Sequence, residues 1–398
     1  MCNIAVVADG HYYRTDDGKV YSRGVYGYGF FARYLASFDQ VFAFVRIQNV
    51  QQLPPKVKLV SGDRVDFIEI PSFRGPVQYA KNYVKVLKAV KEGLKQCDCV
   101  MLRAPSATSQ IVYKVLKKTN IPWAMEVVVD PWEYFAPHTV ESRLRPIFRI
   151  TWTYSLKRMC RECKAVSYVT KKYLQEHYPC RFLLTHGPDT CTESYSSVDI
   201  ADGSIAKARC YIKRNGTFHV VHVAANVEGE GKGHLVLLNV IKQVISRGYD
   251  VDVTFIGEGS MLERFRQISR ELGIAQRAHF LGRLPGVEAV RAELKKADLF
   301  VFPTRAEGLP RVLIEAMAEG LPCISTPVCG IPEILDPGWM FQFDDVDGFA
   351  DKIISCMEDP AILTRQSEKN IEKAYAFEHH CLMEKRKRFY DHLKGKCI

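Results

Sequence analysis

The sequence predicts an α/β protein made of two Rossmann-like, doubly wound domains that face each other across a cleft. Its 398 residues are too many for one ordinary domain and suit two of similar size. Apolar runs of strand length alternate with helical patterns, as right-handed crossovers between parallel strands require. The alternation stops in a polar, turn-rich stretch at residues 185–215 and begins again at residue 218.

The order of elements is similar in the two halves. Short apolar runs predict strands at residues 3–8, 41–47, 65–70, 99–102 and 123–129, and then at 218–224, 251–257, 279–281, 299–303 and 323–326. Helical patterns fall between them, among them residues 77–95, 109–117, 234–246 and a basic terminal helix at 378–393. The polar and aromatic residues 9–23, with a turn signal at Asp17 and Gly18, are expected to form a loop.

Composition limits the class of protein and its partners. The chain is 47% hydrophobic and 25% charged, which is typical of a globular protein. Its net charge of +10 favours an anionic partner such as nucleic acid, anionic lipid or a nucleotide diphosphate. Thirteen scattered cysteines, an odd number, indicate reduced thiols and a cytoplasmic location. The N-terminus has no basic leader, and no apolar run approaches the length of a membrane span.

The most informative stretch covers residues 297–335. A buried strand there is followed by a loop and by an apolar helix that is expected to begin at Pro310, and the start of such a helix attracts anions. Glu307 lies on the loop and Glu315 in the helix, where an ionised carboxylate needs donors. A phosphate site flanked by two carboxylates suits a nucleotide sugar. The alternative is an ion pair between Glu315 and Arg311, with Glu307 solvated.

Two glycine-rich turns between a strand and a helix could also approach a phosphate. The first, at residues 23–30, contains Gly27 and Gly29, and the second holds Lys232. The first does not have G-x-G-x-x-G spacing, so a tight structural turn is the alternative there. Asp130 follows a predicted strand at the carboxyl edge of the first sheet, where ligands bind in open parallel sheets. Its alternative role is a helix or turn cap.

Two basic surfaces could contact a membrane. The helix at residues 77–95 has a lysine face, and residues 143–172 mix arginine and lysine with aromatic side chains. Solvated helix faces are the alternative for both. No RNA-binding signature accompanies them, so we expect no nucleic acid partner.

The motifs in residues 297–335 resemble those of a known family. The chain resembles the E-x7-E region of family 4 retaining glycosyltransferases with the GT-B fold in the runs Glu307-Gly308-Leu309-Pro310, Glu315-Ala316-Met317-Ala318 and Gly320-Leu321-Pro322. The resemblance implies that Glu307 holds sugar hydroxyls and Glu315 ribose hydroxyls. It also implies that Gly308, Leu309 and Pro310 contact the donor through backbone groups or through a surface of complementary shape.

Other positions follow from the same resemblance. A lysine such as Lys232 binds the donor diphosphate in the family, and the basic position that precedes it is held here by Asn226. Gly27 and Gly29 would reach the donor phosphates from the first half. Asp130 stands near the usual family histidine and is our candidate, with Glu307, for the catalytic groups. The family transfers sugar with retention, and we expect neither a metal nor a cofactor at this site.

The resemblance also implies roles for the domains. We expect an acceptor-side domain at residues 1–190, a linker at 191–216, a donor-binding domain at 217–374, and a terminal segment at 375–398 that returns to the first domain. The expected activity is transfer of a hexose-type sugar from a nucleotide diphosphate sugar to a glycan or lipid-linked glycan. A sugar-nucleotide epimerase, a glycan phosphorylase and a basic membrane or nucleic-acid binding protein are the alternatives.

Overall fold

The computed structural model describes residues 1–23, 26–55, 57–73, 75–137, 139, 142–213 and 215–397. Its strands are β1 (Asn3–Arg14), β2 (Val20–Ser22), β3 (Gln40–Asn49), β4 (Lys58–Leu59), β5 (Val65–Ile70), β6 (Cys99–Ala104), β7 (Trp123–Val127), β8 (Ala165–Tyr168), β9 (Cys191–Ser194), β10 (Phe218–Asn226), β11 (Val251–Glu258), β12 (Ala278–Gly282), β13 (Leu299–Phe302) and β14 (Cys323–Ser325). Its α-helices are α1 (Tyr28–Ala32), α2 (Gly75–Leu94), α3 (Ala107–Leu116), α4 (Pro131–Tyr134), α5 (Arg145–Glu162), α6 (Tyr173–His177), α7 (Arg181–Thr185), α8 (His234–Ser246), α9 (Leu262–Glu271), α10 (Gly286–Lys296), α11 (Arg311–Ala318), α12 (Val346–Glu358), α13 (Pro360–Ala374) and α14 (His379–Lys394).

The strands form two parallel sheets, which confirms the predicted fold class. The first has the order β5-β3-β1-β6-β7-β8-β9, and the short strands β2 and β4 add an antiparallel extension beside the end of β1. The second has the order β12-β11-β10-β13-β14. In both sheets the order reverses beside the first strand, and the carboxyl ends of the strands form a crevice there.

The central strands are buried on both faces. All residues of β6, β8 and β13 are buried, which explains why β6 and β13 read as largely continuous apolar runs rather than as alternating patterns. Helices cover each sheet on both sides, as in other parallel sheets. Among the described residues, no helix has the length and apolar character needed to cross a bilayer.

Two predicted segments differ in the structure. Residues 9–14, expected in a loop, continue β1, because they pair with β3 on one side and with the β2 hairpin on the other, and Tyr12 is fully buried. The predicted linker at 191–216 begins with β9, the edge strand of the first sheet. The half-buried polar residues of β9 do not form an apolar run, so the sequence pattern did not identify this strand.

A buried carboxylate joins four parts of the chain. Glu126, on β7, is 4% exposed. Its Oε2 accepts hydrogen bonds from Arg103 Nη1 at 2.6 Å and from the Tyr34 hydroxyl at 3.2 Å. Its Oε1 accepts bonds from the hydroxyls of Tyr195 and Tyr390 at 3.0 and 3.2 Å. Tyr390 lies on α14, so this network attaches the terminal helix to the first sheet.

Charge keeps Glu126 ionised in this position. Burial by itself raises the pKa of Glu126, but Arg103 and Arg33, together with the Tyr195 hydroxyl, outweigh it and hold the pKa below its usual range. Arg386 adds a second link from α14, since its Nη2 donates to the Ser196 carbonyl at 2.7 Å. The terminal helix is therefore held by buried polar contacts as well as by apolar packing.

We predict that Glu126→Gln destabilises the protein by about 3 kcal/mol at neutral pH, because it leaves the Arg103 charge buried and unpaired. Since the folded-state pKa of Glu126 is lowered, its contribution is present above the unfolded-state pKa and is lost as pH falls through the folded-state value. The difference between wild type and variant should therefore shrink in acid. Urea unfolding at several pH values measures both effects. Glu92→Gln, which removes an exposed pair with Lys95, is the control and should change little.

Candidate active site

The loop between β10 and α8 brings Lys232 to Glu307. Lys232 ends a short 3₁₀ helix (Glu230–Lys232), and its ammonium forms an ion pair with the Glu307 carboxylate. The backbone of this loop packs against the loop after β13, where Arg305 N donates to the Gly231 carbonyl at 2.9 Å. Gly233 has φ +77°, and a Cβ there would lie 1.7 Å from the Pro303 carbonyl oxygen. The close packing of these two loops therefore requires glycine at position 233.

Helix α11 begins one residue later than predicted. Pro310 is its N-cap and Arg311 its first residue, and no side chain caps its first backbone N–H groups. Glu315, on the same helix, is half-buried. Burial raises its pKa, while Arg311, Arg291 and Lys58 oppose that rise. A carboxylate in these surroundings is suited to accept hydrogen bonds from hydroxyl groups of a ligand.

The first half contributes a segment that reaches the second. Gly27 is the N-cap of α1, and Gly29 lies within that helix, where an added Cβ would meet nothing within 4 Å. The preceding residues Gly24 and Val25 lie outside the described part of the chain. Arg23 Nη2 lies 3.5 Å from Glu258 Oε1 at the end of β11. The segment that carries both glycines is therefore anchored beside the carboxyl edge of the second sheet.

Asn226 ends β10 and is exposed, in register with Glu258 of β11. Glu258 also pairs with Arg283, at 3.0 Å. The position next to Asn226 therefore holds two arginines, Arg23 from the first half and Arg283 from the second. The sequence motif did not reveal them, because both arrive through tertiary contacts.

Gly308 lies where the two halves touch. A Cβ at Gly308 would be 2.2 Å from the carbonyl oxygen of Val128, which follows β7. Gly330 N donates to the Gly308 carbonyl at 2.9 Å, and a Cβ at Gly330 would be 2.7 Å from Thr170. Leu309 lines a small cavity with Val169 and other residues of the first half. Gly308 and Leu309 thus make the contact between halves, a role that the motif did not predict.

Glu333 strengthens that contact. It ends a 3₁₀ helix (Ile331–Glu333), and its carboxylate accepts backbone N–H bonds from Lys171, Lys172 and Tyr173 at 2.5, 3.0 and 2.9 Å. These N–H groups lie at the start of α6, where a carboxylate is stabilised by the helix dipole. Sequence analysis did not single out Glu333, although it lies within the stretch 297–335.

Asp130 is buried within the first half of the chain. It is 1% exposed and caps α4, with its Oδ1 accepting from Trp132 N at 2.8 Å and also from the Tyr178 hydroxyl. Its Oδ2 accepts from the Tyr173 hydroxyl at 2.8 Å. Donors from its own domain thus occupy both oxygens, which is the cap role given above as the alternative for Asp130, and its contact with an acceptor stays a prediction.

Asp130 nevertheless connects to the second half through its neighbours. Tyr173 also contacts the thiol of Cys329, and that thiol interacts with the backbone of Glu307. Burial raises the pKa of Cys329 to about 12, so the thiol stays neutral. Asp130 is thus connected, through Tyr173 and Cys329, to the loop that carries Glu307.

A cavity of about 410 Å³ opens beside Asp130 at the carboxyl edge of the first sheet. Its walls combine aromatic and polar side chains, among them Asp9, Tyr26, Arg103, Tyr134, Phe135 and Trp152. Arg103 belongs to the Glu126 network, so its guanidinium is held in place. Aromatic faces with a few fixed polar groups are suited to bind a sugar ring.

The second half matches a known family. Residues 217–359 match the family model described as glycosyl transferases group 1, which confirms the predicted resemblance of this half to glycosyltransferases. Along most of its length the chain is similar to Protein CapJ of Staphylococcus aureus. The two are 25% identical over 333 residues, which cover 82% of this chain and 80% of CapJ.

Solved structures share the whole fold. Sucrose-phosphate synthase from Thermosynechococcus elongatus has a TM-score of 0.70 at 15% identity and covers 99% of this chain and 100% of its own. Anabaena HepE in complex with UDP-glucose has a TM-score of 0.66 at 14% identity, with 99% and 100% covered. The fold is therefore that of GT-B glycosyltransferases, and residues 217–359 carry the group 1 family signature.

We predict that Gly308→Ala forces the two halves apart, because the Val128 carbonyl is backbone and cannot yield as a flexible side chain would. The radius of gyration measured by small-angle scattering should increase, and protease cleavage between the halves should become faster. Gly338→Ala is the matched control, since a Cβ there meets nothing within 4 Å. An unchanged radius of gyration in a folded Gly308→Ala protein would contradict the prediction.

Proposed function

We propose that this protein is a retaining glycosyltransferase that moves a hexose-type sugar from a nucleotide diphosphate sugar to a hydroxyl of a glycan or lipid-linked glycan. The observation that carries the proposal is the Lys232–Glu307 ion pair beside the uncapped start of α11. A cation and free backbone N–H groups suit the diphosphate, and the carboxylates suit the hydroxyls. The group 1 family match over the same residues supports it.

A bound diphosphate would compete with Glu307 for the Lys232 ammonium. The exchange would free the Glu307 carboxylate to accept hydrogen bonds from the transferred sugar. Glu315 would hold the ribose hydroxyls, and Arg23 or Arg283 would add positive charge at the place of Asn226. HepE, whose structure contains UDP-glucose, makes UDP-hexoses the first donors to test.

Transfer with retention would proceed by attack on the face that the nucleotide leaves. The bond between the anomeric carbon and the phosphate oxygen breaks, the acceptor oxygen bonds to that carbon, and the departing phosphate takes the acceptor proton. Lys232 and the α11 N–H groups stabilise the negative charge that develops on the diphosphate. We propose that these groups suffice without a metal or cofactor in the transfer step.

The aromatic cavity next to Asp130 would hold the acceptor. It lies at the carboxyl edge of the first sheet, so an acceptor there would face the donor across the cleft. We propose polysaccharide biosynthesis as the setting, with the protein on the cytoplasmic side of a membrane. An epimerase would need no acceptor cavity.

We expect Lys232→Ala to lower the rate of nucleotide diphosphate release from a UDP-hexose by about 100-fold in the presence of acceptor, because one stabilising charge is lost. Glu307→Gln should also lower it. The exposed Lys242→Ala, close by on α8, is the control.

A panel of nucleotide sugars tested by thermal shift identifies the donor, since a ligand at 100 times its Kd adds about 2.7 kcal/mol. The proposal fails if no nucleotide sugar raises the melting temperature.

Peripheral contact with an anionic membrane is the second part of the proposal. Helices α2, α3 and α5 border a cavity of about 850 Å³ whose floor is apolar and aromatic. Its rim is strongly basic, with Lys91, Lys95, Lys114, Lys117, Lys118 and Arg158. The acidic residues Glu92 and Glu162 form ion pairs with Lys95, Lys117 and Arg158 of this rim, so positive charge is in excess there. Val84 and Ile150, on the flanking helices, are 75% and 63% exposed. Basic charge beside exposed apolar side chains complements an anionic leaflet.

We expect the triple variant of this rim, Lys91→Glu, Lys114→Glu and Lys118→Glu, to bind vesicles of phosphatidylglycerol and phosphatidylcholine at least about 100-fold more weakly, since each basic residue contributes about 1 kcal/mol. Sedimentation with vesicles measures the change. The control places the same charge change on the second half, with Lys242→Glu, Arg264→Glu and Arg365→Glu. An equal loss of vesicle binding in both triple variants would show that only net charge matters. It would overturn the assignment of this rim as the membrane-binding face.

A further inference from the structure

Three cysteines that are far apart in the sequence meet on the side of the first sheet opposite the cleft. The Sγ atoms of Cys2, Cys99 and Cys397 all lie within 4.8 Å of one another. Cys2 precedes β1, and Cys99 begins β6 in register with Ile4 of β1. Both therefore lie at the amino edge of the sheet, whereas the candidate active site lies at the carboxyl edges. Cys397 arrives from the tail after α14.

The backbone holds the first two thiols in place. Cys2 is 8% exposed and Cys99 is fully buried. Cys2 N donates to Asp39 Oδ2 at 2.6 Å, and the next residue, Asn3, donates its N–H to Asp98 Oδ2 at 2.7 Å. Both thiols thus come from ordered strand ends rather than from free loops.

Independent contacts hold the tail that carries the third thiol. Lys394 Nζ donates to the Ser37 carbonyl at 2.6 Å, and Lys396 Nζ lies 2.6 Å from Asp189 Oδ1. Cys397 N donates to the Lys394 carbonyl at 2.9 Å, which turns the chain after the helix. The thiol is directed back to the sheet by this turn.

Sulfur ligands at this spacing suit a soft metal. Around a cation with bonds of about 2.3 Å to thiolates, the sulfur atoms lie roughly 3.8 Å apart, so a small contraction of the cluster suffices. Three thiolates select Zn²⁺, which takes water or a further protein oxygen as a fourth ligand, or Cu⁺, which accepts three sulfurs. From this geometry we infer that Cys2, Cys99 and Cys397 form a binding site for a thiophilic d¹⁰ cation, Zn²⁺ or Cu⁺.

The site would link the end of the chain to its beginning. Helix α14 leaves the second half and crosses to the first sheet, where Tyr390 already joins Glu126. A cation at the three thiolates fixes the segment that follows this helix. Because it binds the folded chain, it stabilises the arrangement of the tail and the first sheet. This role is independent of sugar transfer, which takes place at the opposite edge.

The experiment uses the full chain, reduced with a phosphine, incubated with Zn²⁺ or Cu⁺ and desalted before elemental analysis. Wild type should retain one equivalent of at least one of the two ions, and its melting temperature should rise on loading. Cys397→Ser and, separately, Cys2→Ser should retain almost none and show no rise. Cys381→Ser, on α14 but outside the cluster, should behave as wild type. Competition with chromophoric chelators distinguishes Zn²⁺ from Cu⁺.

Three results would overturn the inference. Wild type that retains neither ion after reduction has no such site. Equal retention by wild type and by folded Cys397→Ser and Cys2→Ser places the metal elsewhere. Thiol titration and mass mapping that find a disulfide within the cluster, with no metal taken up after reduction, assign the three residues to redox chemistry. Circular dichroism of each serine variant separates loss of metal from loss of fold.

Discussion

The buried carboxylate of Glu126 holds several separate segments together in the first half of the structure. It accepts hydrogen bonds from Arg103, Tyr34, Tyr195 and Tyr390, which come from separate parts of the chain. Burying such a charge without its donors costs several kcal/mol of folding free energy. The fold is therefore stable only when the four donor groups surround the carboxylate. The same carboxylate thus helps to hold both the terminal helix and the guanidinium in the wall of the aromatic cavity.

A second constraint fixes the two halves against each other. Gly308 allows the loop after β13 to approach the Val128 carbonyl, and Glu333 accepts three backbone N–H groups at the start of α6. Asp130 supports the same region through Tyr173. The proposed transfer needs its donor and acceptor sites held at a defined separation, because misplacement of reacting atoms by 1 Å can cost about 100-fold in rate. The contacts between halves supply that rigidity.

Several candidate site residues could be proposed from the sequence because their signals are local. Glu307, Glu315 and Lys232 lie in motifs whose spacing is readable along the chain, and the structure joins Lys232 to Glu307. The roles of the neighbouring residues were less predictable. Nothing local distinguishes an aspartate that caps a buried helix, such as Asp130, from one that faces a ligand. Glu333 was missed because its partners are more than 150 residues away.

The sequence by itself determined the α/β class and the candidate donor motif. The apolar runs that indicate the class form the strands of the two sheets. These depend on periodicity and spacing over a few residues. Tertiary structure alone decided that residues 9–14 extend β1, that β9 completes the first sheet, and that Cys2, Cys99 and Cys397 meet. The physical reason is the same in each case. These features arise from pairing and packing between distant segments, and no local pattern of side chains records which distant partner a residue will find.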